Sequence, residues 1–197
     1  MARLNTQRAF ASVFLALALH ASHAAPVELA GVKIEDKLDL GGSTLVLNGA
    51  GIRYKAIFKV YTAGLYLTRK ASTPDTVLAT PGAKRLAVTL LRDIDAEELG
   101  RLFLRGVSDN TPKNQMAQLL PGLLRISKVF TDQKQLKTGD TFSIDWIPGS
   151  GTVMTINNVK QGDPVKEQAF FDALMRIWLG PSPADWKLKE LLLGQAN

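Results

Sequence analysis

Hydrophobic and polar residues alternate along five segments of the chain, and this pattern predicts β-strands. The segments are residues 43–48, 58–67, 86–91, 141–146 and 152–157. In the fourth segment, apolar residues at 142, 144 and 146 alternate with polar residues at 141, 143 and 145, so one face of the strand is apolar. The sequence Pro-Gly-Ser-Gly at 148–151 favours a turn, and we expect the last two strands to form a hairpin.

Apolar residues at helical spacing predict four helices. The first follows Asp95, which has a glutamate three positions later, and it carries Leu99, Leu102 and Phe103 on one side. The second begins with Thr111 as N-cap and Pro112 in the first turn, with a kink expected at residues 121–122. The others cover residues 166–179 and 186–192. This order predicts one α+β domain, an antiparallel sheet with helices packed on one face.

The first 24 residues have the pattern of a secretory signal peptide. Arg3 and Arg8 precede an apolar run at residues 9–19, and the run is too short to span a bilayer. Residues 22–24, Ser-His-Ala, supply small residues before a signal-peptidase cleavage position. We therefore predict cleavage after Ala24, a mature domain over residues 25–197, and a location in the periplasm or outside the cell.

The composition excludes several kinds of chemistry. The chain has no cysteine, and both histidines, His20 and His23, lie in the predicted leader. A mature domain without Cys or His cannot form a Ser-His-Asp triad, a Cys-His pair or a zinc site of the usual kind, and we expect no cofactor or metal. The net charge falls from +6 to about +4 without the leader, with cations scattered among acids, so no nucleic-acid partner is expected. We expect no membrane span, and nothing indicates the oligomeric state.

Two polar or glycine-rich clusters have structural explanations. Gly49-Ala50-Gly51 resembles half of a dinucleotide loop, but Tyr54 occupies the position of the third glycine, so a tight bend or bulge is the better interpretation. The acids at 93, 95, 97 and 98 could in principle act as a general acid and base, but helix capping and solvation explain them better.

Arg53 and Tyr61 are the candidate site residues. Arg53, Lys55, Lys59 and Tyr61 lie at even offsets, which a continuous strand would place on one side of a sheet. A cation and a phenol on one face can hold an anionic or carbonyl oxygen. The alternative is a solvated polar face, and the spacing alone leaves both possibilities open.

Two long segments resemble a known family. Residues 47–53, Leu-Asn-Gly-Ala-Gly-Ile-Arg, followed by residues 58–67, Phe-Lys-Val-Tyr-Thr-Ala-Gly-Leu-Tyr-Leu, are similar to the glycine turn and strand of the chalcone isomerase fold. Residues 169–194 are similar to the C-terminal helix pair of bacterial chalcone isomerase-like proteins. The resemblance covers nearly all of the predicted mature chain and implies an α+β open-faced β-sandwich of this family's exported branch.

The resemblance implies one of two activities. Plant enzymes of the family cyclise chalcones with an arginine, a threonine, a tyrosine and an asparagine, of which only the arginine has a match here, as Arg53. The threonine position holds Tyr61, and a hydroxyl position on the late helix falls near Phe171. Glu98 or Leu99, and about Arg105, stand where the family's tyrosine and asparagine are expected. The cyclisation machinery is therefore largely absent.

The family's fatty-acid-binding branch has an arginine and a tyrosine at the first two positions, which match Arg53 and Tyr61. The resemblance thus implies a cofactor-free, non-catalytic binder of a small amphipathic carboxylate such as a fatty acid. The alternatives are an intramolecular lyase (isomerase) on an unknown substrate, or an interaction protein with a vestigial cleft. We expect an apolar cleft lined partly by the helices that bear Leu102, Phe103 and Phe170, with Arg53 at its polar end.

Overall fold

The computed structural model describes residues 27–195, which form eleven strands and five helices. The predicted leader, residues 1–24, lies outside the described residues. The strands are β1 (Val27–Leu29), β2 (Val32–Ile34), β3 (Lys37–Leu40), β4 (Ser43–Lys55), β5 (Phe58–Leu67), β6 (Lys84–Leu90), β7 (Ile94–Asp95), β8 (Gln135–Leu136), β9 (Thr141–Ile147), β10 (Gly151–Ile156) and β11 (Val159–Lys160). The helices are α1 (Pro74–Ala79), α2 (Ala96–Asn110), α3 (Lys113–Thr131), α4 (Gln168–Leu179) and α5 (Trp186–Leu192).

The main sheet has seven antiparallel strands in the order β11-β10-β9-β6-β5-β4-β3. Alternate residues of its central strand β6 are buried, as expected for a strand with one face against a core. Buried side chains from β5, β6, β9 and β10 and from all five helices form one hydrophobic cluster. The predicted α+β architecture, an antiparallel sheet with helices on one face, is confirmed.

A smaller core lies apart from this cluster and was not predicted. It contains Ile34, Leu40, Leu45, Tyr66 and Ala83, with side chains of β1 and β2 packed against it. The Tyr66 hydroxyl donates a hydrogen bond to the Glu35 carbonyl at 3.0 Å, which ties the N-terminal strands to the sheet. None of the helices within residues 27–195 is long and apolar enough to cross a membrane.

The segment from Arg53 to Tyr61 is a hairpin, and the single continuous strand considered above is wrong. The chain reverses between β4 and β5, where Ala56 adopts a positive φ of 54°. Arg53 and Tyr61 are nevertheless direct cross-strand partners, so they still share one face of the sheet. Lys55 and Lys59 lie at the exposed end of the hairpin.

The start of α3 also differs from its prediction. Thr111 ends α2, and Pro112 is the N-cap of α3 without a side-chain capping bond. The Thr111 hydroxyl is buried without a hydrogen-bond partner among residues 27–195, so it does not cap the helix. Helix α3 continues through Pro121. The capping predicted for α2 is confirmed, because the Asp95 carboxylate accepts a bond from the Glu98 N–H at 2.8 Å.

Gly49 and Gly51 allow α5 to pack directly against β4. A Cβ at Gly49 would overlap the backbone carbonyl oxygen of Leu191, and one at Gly51 would collide with the Leu191 side chain. The strand pairing shifts register between Leu47 and Gly49, so the predicted bulge is confirmed. Asn48, at the bulge, donates to the Leu192 carbonyl at 2.7 Å and thereby fixes the end of α5.

Candidate functional site

A cavity of about 350 Å³ lies between the helix face of the sheet, α2, α4 and the loop that precedes α5. Its volume is within the range of roughly 300–1,000 Å³ that is typical of small-molecule sites. Three aromatic side chains form much of its wall, and Phe103 contacts the other two: its ring centroid lies 5.8 Å from that of Phe142 and 5.7 Å from that of Trp178. The interior is therefore mainly apolar.

Arg53 brings a positive charge to this cavity. Strand β4 positions it directly opposite Tyr61, and its guanidinium carbon lies 5.6 Å from the centroid of the Tyr61 ring. Among residues 27–195 the buried Nε of Arg53 has no hydrogen-bond partner, and no carboxylate forms an ion pair with the side chain. A buried donor without a partner is costly, and the described residues leave this hydrogen-bonding capacity of Arg53 unused.

The Tyr61 hydroxyl already accepts one hydrogen bond within the protein. The Trp178 Nε1–H donates a hydrogen bond to the Tyr61 hydroxyl at 2.8 Å, and both residues are buried. Burial raises the pKa of Tyr61 to about 12, although the nearby Arg53 charge and the Trp178 bond oppose the rise. The phenol is therefore protonated at neutral pH and has one O–H to donate.

The wall opposite the sheet is a loop that Asn110 holds in place. Residues 182–184 line the cavity. The Asn110 amide accepts from the Ser182 N–H at 2.8 Å and donates to the Ser182 carbonyl at 2.9 Å. Asp185 fixes the other end, because its carboxylate caps α5 at the Leu188 N–H and accepts from the Tyr54 N–H at 3.0 Å. These contacts set the separation between the loop and the Arg53 hairpin.

The rim of the cavity carries a second arginine that is already paired. Arg105 and Asp109 face each other one turn apart on α2, with the Arg105 Nε 3.5 Å from the Asp109 carboxylate. Both side chains are exposed, so the pair contributes little to stability. The cation with an unpaired buried donor at this cavity is Arg53.

Comparison with known proteins assigns the fold to a family. A family model described as chalcone isomerase-like matches residues 26–194. The chain belongs to the chalcone isomerase-like family. No curated protein matches the sequence.

A solved structure has the same fold as this chalcone isomerase-like protein. It is the crystal structure of a fatty-acid binding protein from Arabidopsis thaliana, with a TM-score of 0.67 and 15% sequence identity. The similarity covers 83% of this chain and 92% of the plant chain. At this identity the likeness concerns the fold alone.

The chalcone isomerase-like fold brings most of the predicted positions to the cavity. Arg53, Tyr61, Leu102 and Phe103 line it. Leu99 and Arg105, which stand at positions expected for the family's tyrosine and asparagine, line it as well. At these two positions the cavity wall therefore consists of the aliphatic Leu99 side chain and, at the rim, the cationic Arg105 side chain.

Helix α4 lines the cavity, as predicted, but its two phenylalanines lie elsewhere. Phe170 packs against Gly122, and Phe171 lies 6.0 Å from Trp146 in ring-centroid distance. The α4 residues at the cavity are Ile177 and Trp178. Trp178 follows Phe171 by two helical turns, so the predicted side of α4 is correct but the cavity lies about 10 Å further along the helix.

Proposed function

We propose that this chalcone isomerase-like protein binds a small amphipathic carboxylate, such as a fatty acid, without catalysing its conversion. The observation that carries the proposal is Arg53, a cation that lines a mainly apolar cavity and forms no ion pair among residues 27–195. A carboxylate can accept from the guanidinium in two places, and such charge-assisted bonds contribute roughly 1.5–3 kcal/mol each. The shared fold with the plant fatty-acid binding protein supports the same ligand class.

The apolar part of the ligand would lie against Phe103, Phe142 and Ile177. These three side chains are buried and face the cavity. Each methylene removed from water contributes about 0.8 kcal/mol, so an acyl chain of moderate length supplies most of the binding free energy. The carboxylate contact then orients the ligand within the cavity.

Tyr61 suits a binding role better than a catalytic one. Its pKa of about 12 leaves very little phenolate at neutral pH, so it is a poor general base. Its free O–H can donate to the same ligand oxygen that faces Arg53, while Trp178 holds the ring in position. We assign it as a neutral hydrogen-bond donor to the ligand.

We further propose that the protein acts outside the cytoplasm. The basic head, short apolar run and small residues of segment 1–24 support export with cleavage after Ala24. The family match begins at residue 26, so the family domain does not include this segment.

Mass spectrometry of small molecules extracted from the purified protein tests the proposal. Wild type, Arg53→Leu and the control Arg101→Leu are recovered from the same host. Arg101 is an exposed cation of α2 that does not line the cavity. Carboxylated amphiphiles should accompany wild type and Arg101→Leu and be depleted about tenfold or more in Arg53→Leu. Their absence from wild type, or equal amounts in all three, would contradict the proposal.

A further inference from the structure

The tip of the β4–β5 hairpin exposes apolar side chains to solvent. Ile57 is 84% exposed and Phe58 is 58% exposed, and Tyr54, which is 41% exposed, lies on β4 two residues before the turn and opposite Lys59. Trp186 is 62% exposed. It lies near Tyr54, because the residue before it, Asp185, accepts a hydrogen bond from the Tyr54 N–H. We call these four residues the hairpin patch. Clustered exposed apolar side chains of this kind mark interaction sites.

The hairpin turn itself departs from the chemistry that such turns favour. Two-residue hairpin loops usually contain glycine, asparagine or aspartate, because these residues adopt positive φ readily and expose no large apolar side chain. Here the loop is Ala56-Ile57, and Ala56 takes a φ of 54°. The chain thus carries both a disfavoured conformation and exposed apolar surface at one place, where a polar turn would satisfy the fold.

Cations surround the hairpin patch. Lys55 and Lys59 flank its tip, the Arg92 guanidinium lies 5.5 Å from the Phe58 ring centroid, and the Lys189 ammonium lies 5.0 Å from that of Trp186. Three of these cations, Lys59, Arg92 and Lys189, form no ion pair with a carboxylate among residues 27–195, whereas Lys55 lies 3.6 Å from Glu98.

The hairpin patch adjoins the Arg53 end of the cavity. Arg53 directly precedes Tyr54, and the cavity-lining Ala184 lies two residues before Trp186. A smaller crevice of about 120 Å³ contains Lys55 and Arg92 and shares Arg53, Leu99 and Leu102 with the main cavity. A surface that contacts the patch would therefore lie close to Arg53 and to this end of the cavity.

We propose that the hairpin patch docks on a membrane surface that contains anionic lipids. Ile57 and Phe58 enter the boundary between headgroups and acyl chains, the two aromatic residues Tyr54 and Trp186 lie at headgroup level, and the surrounding cations contact anionic headgroups. Charge complementarity and the apolar tip both favour this occupant. The docking itself is independent of the proposed function. Only its purpose, which is to let an amphipathic ligand pass between bilayer and cavity, rests on that function.

Cosedimentation with lipid vesicles tests the docking without any fatty acid. The purified protein is mixed with vesicles of phosphatidylcholine and phosphatidylglycerol at a molar ratio of about three to one, or of phosphatidylcholine alone. We expect binding to the anionic vesicles that weakens as salt rises, and much weaker binding to the neutral ones. Ile57→Ser with Phe58→Ser should lower the partition coefficient at least about tenfold. Lys55→Gln with Lys59→Gln should lower it roughly fivefold per lysine.

Two matched variants on other surfaces serve as controls. Leu120 and Leu124 on α3 are 54% and 63% exposed, so Leu120→Ser with Leu124→Ser removes similar apolar surface elsewhere. Lys33→Gln with Lys37→Gln removes two exposed lysines at the other end of the sheet, since Lys37 pairs with Val46, about 30 Å along β4 from the tip. Both controls should bind vesicles as wild type does.

Fatty-acid affinity measured without vesicles separates the two proposals. The hairpin-patch variants should retain it, whereas Arg53→Leu should lose it and still bind vesicles. Failure of the wild type to bind anionic vesicles, or an equal loss in patch and control variants, would overturn the docking proposal alone. If the protein formed a dimer in solution and Ile57→Ser with Phe58→Ser dissociated this dimer, the docking proposal would be overturned in favour of contact with a second copy of the chain.

Discussion

Replacement of Tyr61 by phenylalanine should destabilise the protein although the ring is kept. The change removes only the hydroxyl, which accepts a hydrogen bond from the Trp178 Nε1–H at 2.8 Å. Trp178 is 2% exposed, so its N–H would be left unpaired in the core. A buried donor without a partner costs about 1–3 kcal/mol, and we expect the free energy of unfolding to fall by that amount.

Urea denaturation of wild type and four variants measures this effect. Tyr54→Phe is the matched control, because Tyr54 is partly exposed and its hydroxyl has no partner within residues 27–195. Trp178→Phe and the double variant complete a cycle with Tyr61→Phe, and the coupling energy isolates the Tyr61–Trp178 bond from the lost indole volume. A Tyr61→Phe midpoint equal to that of Tyr54→Phe, with no coupling to Trp178, would refute the reasoning.

Gly49→Ala should lower the free energy of unfolding by about 1–3 kcal/mol, because its Cβ would overlap the Leu191 carbonyl; an unchanged urea midpoint would contradict the packing of α5 on β4. Burial raises the pKa of Tyr61 and of Tyr66 to about 12, whereas tyrosine in an unfolded chain titrates near about 10. The two protonated phenols therefore contribute their full stabilisation below about pH 10, and this stabilisation is lost as the pH rises through about 12. Ultraviolet titration should show both phenols ionising about two pH units higher in native than in urea-unfolded protein. Coincident titration curves would disprove this prediction. Incubation with a chalcone should yield flavanone only at the uncatalysed rate, and enantioselective product at an enzyme-like rate would favour the lyase alternative. Protein recovered from the host periplasm should begin at Ala25, and an intact mass that still includes residues 1–24 would contradict the predicted cleavage.

The larger elements of the fold could be predicted because their patterns are local. Strand β5 and helix α5 have the predicted ends, since residues 58–67 form one strongly apolar block and Asp185 caps the helix just before Trp186. Strands β1, β2 and β3 have only three or four residues each, too few for alternation to be recognised. Their register depends on pairing within the smaller core rather than on their own pattern.

The candidate site could be predicted only in part. Arg53 and Tyr61 do share a face, but they do so as cross-strand partners in a hairpin. The Ala56-Ile57 turn of this hairpin lacks the usual turn residues, so the sequence pattern does not predict that the chain reverses there. Trp178 and Tyr61 are 117 positions apart, and no local pattern could reveal their hydrogen bond. The same holds for Asn110 and Ser182, which are 72 positions apart.

Helix α4 illustrates a second limit of sequence patterns. It is buried on nearly all sides, with eight of its twelve residues in the core. Apolar spacing could therefore indicate that this helix lines the cavity but not that Ile177 and Trp178, rather than Phe170, are the residues that do so.

Calorimetric titration with a fatty acid and with the alcohol of the same chain length tests the central claim most directly. The two ligands differ only in the group that faces Arg53, so wild type and Arg53→Leu form a cycle with them. We predict that wild type prefers the acid, and that Arg53→Leu weakens acid binding by roughly 1.5–3 kcal/mol, a factor of about ten to a hundred or more, while alcohol binding hardly changes. Equal losses for both ligands, or no loss for either, would contradict the claim that Arg53 holds a carboxylate in this cavity.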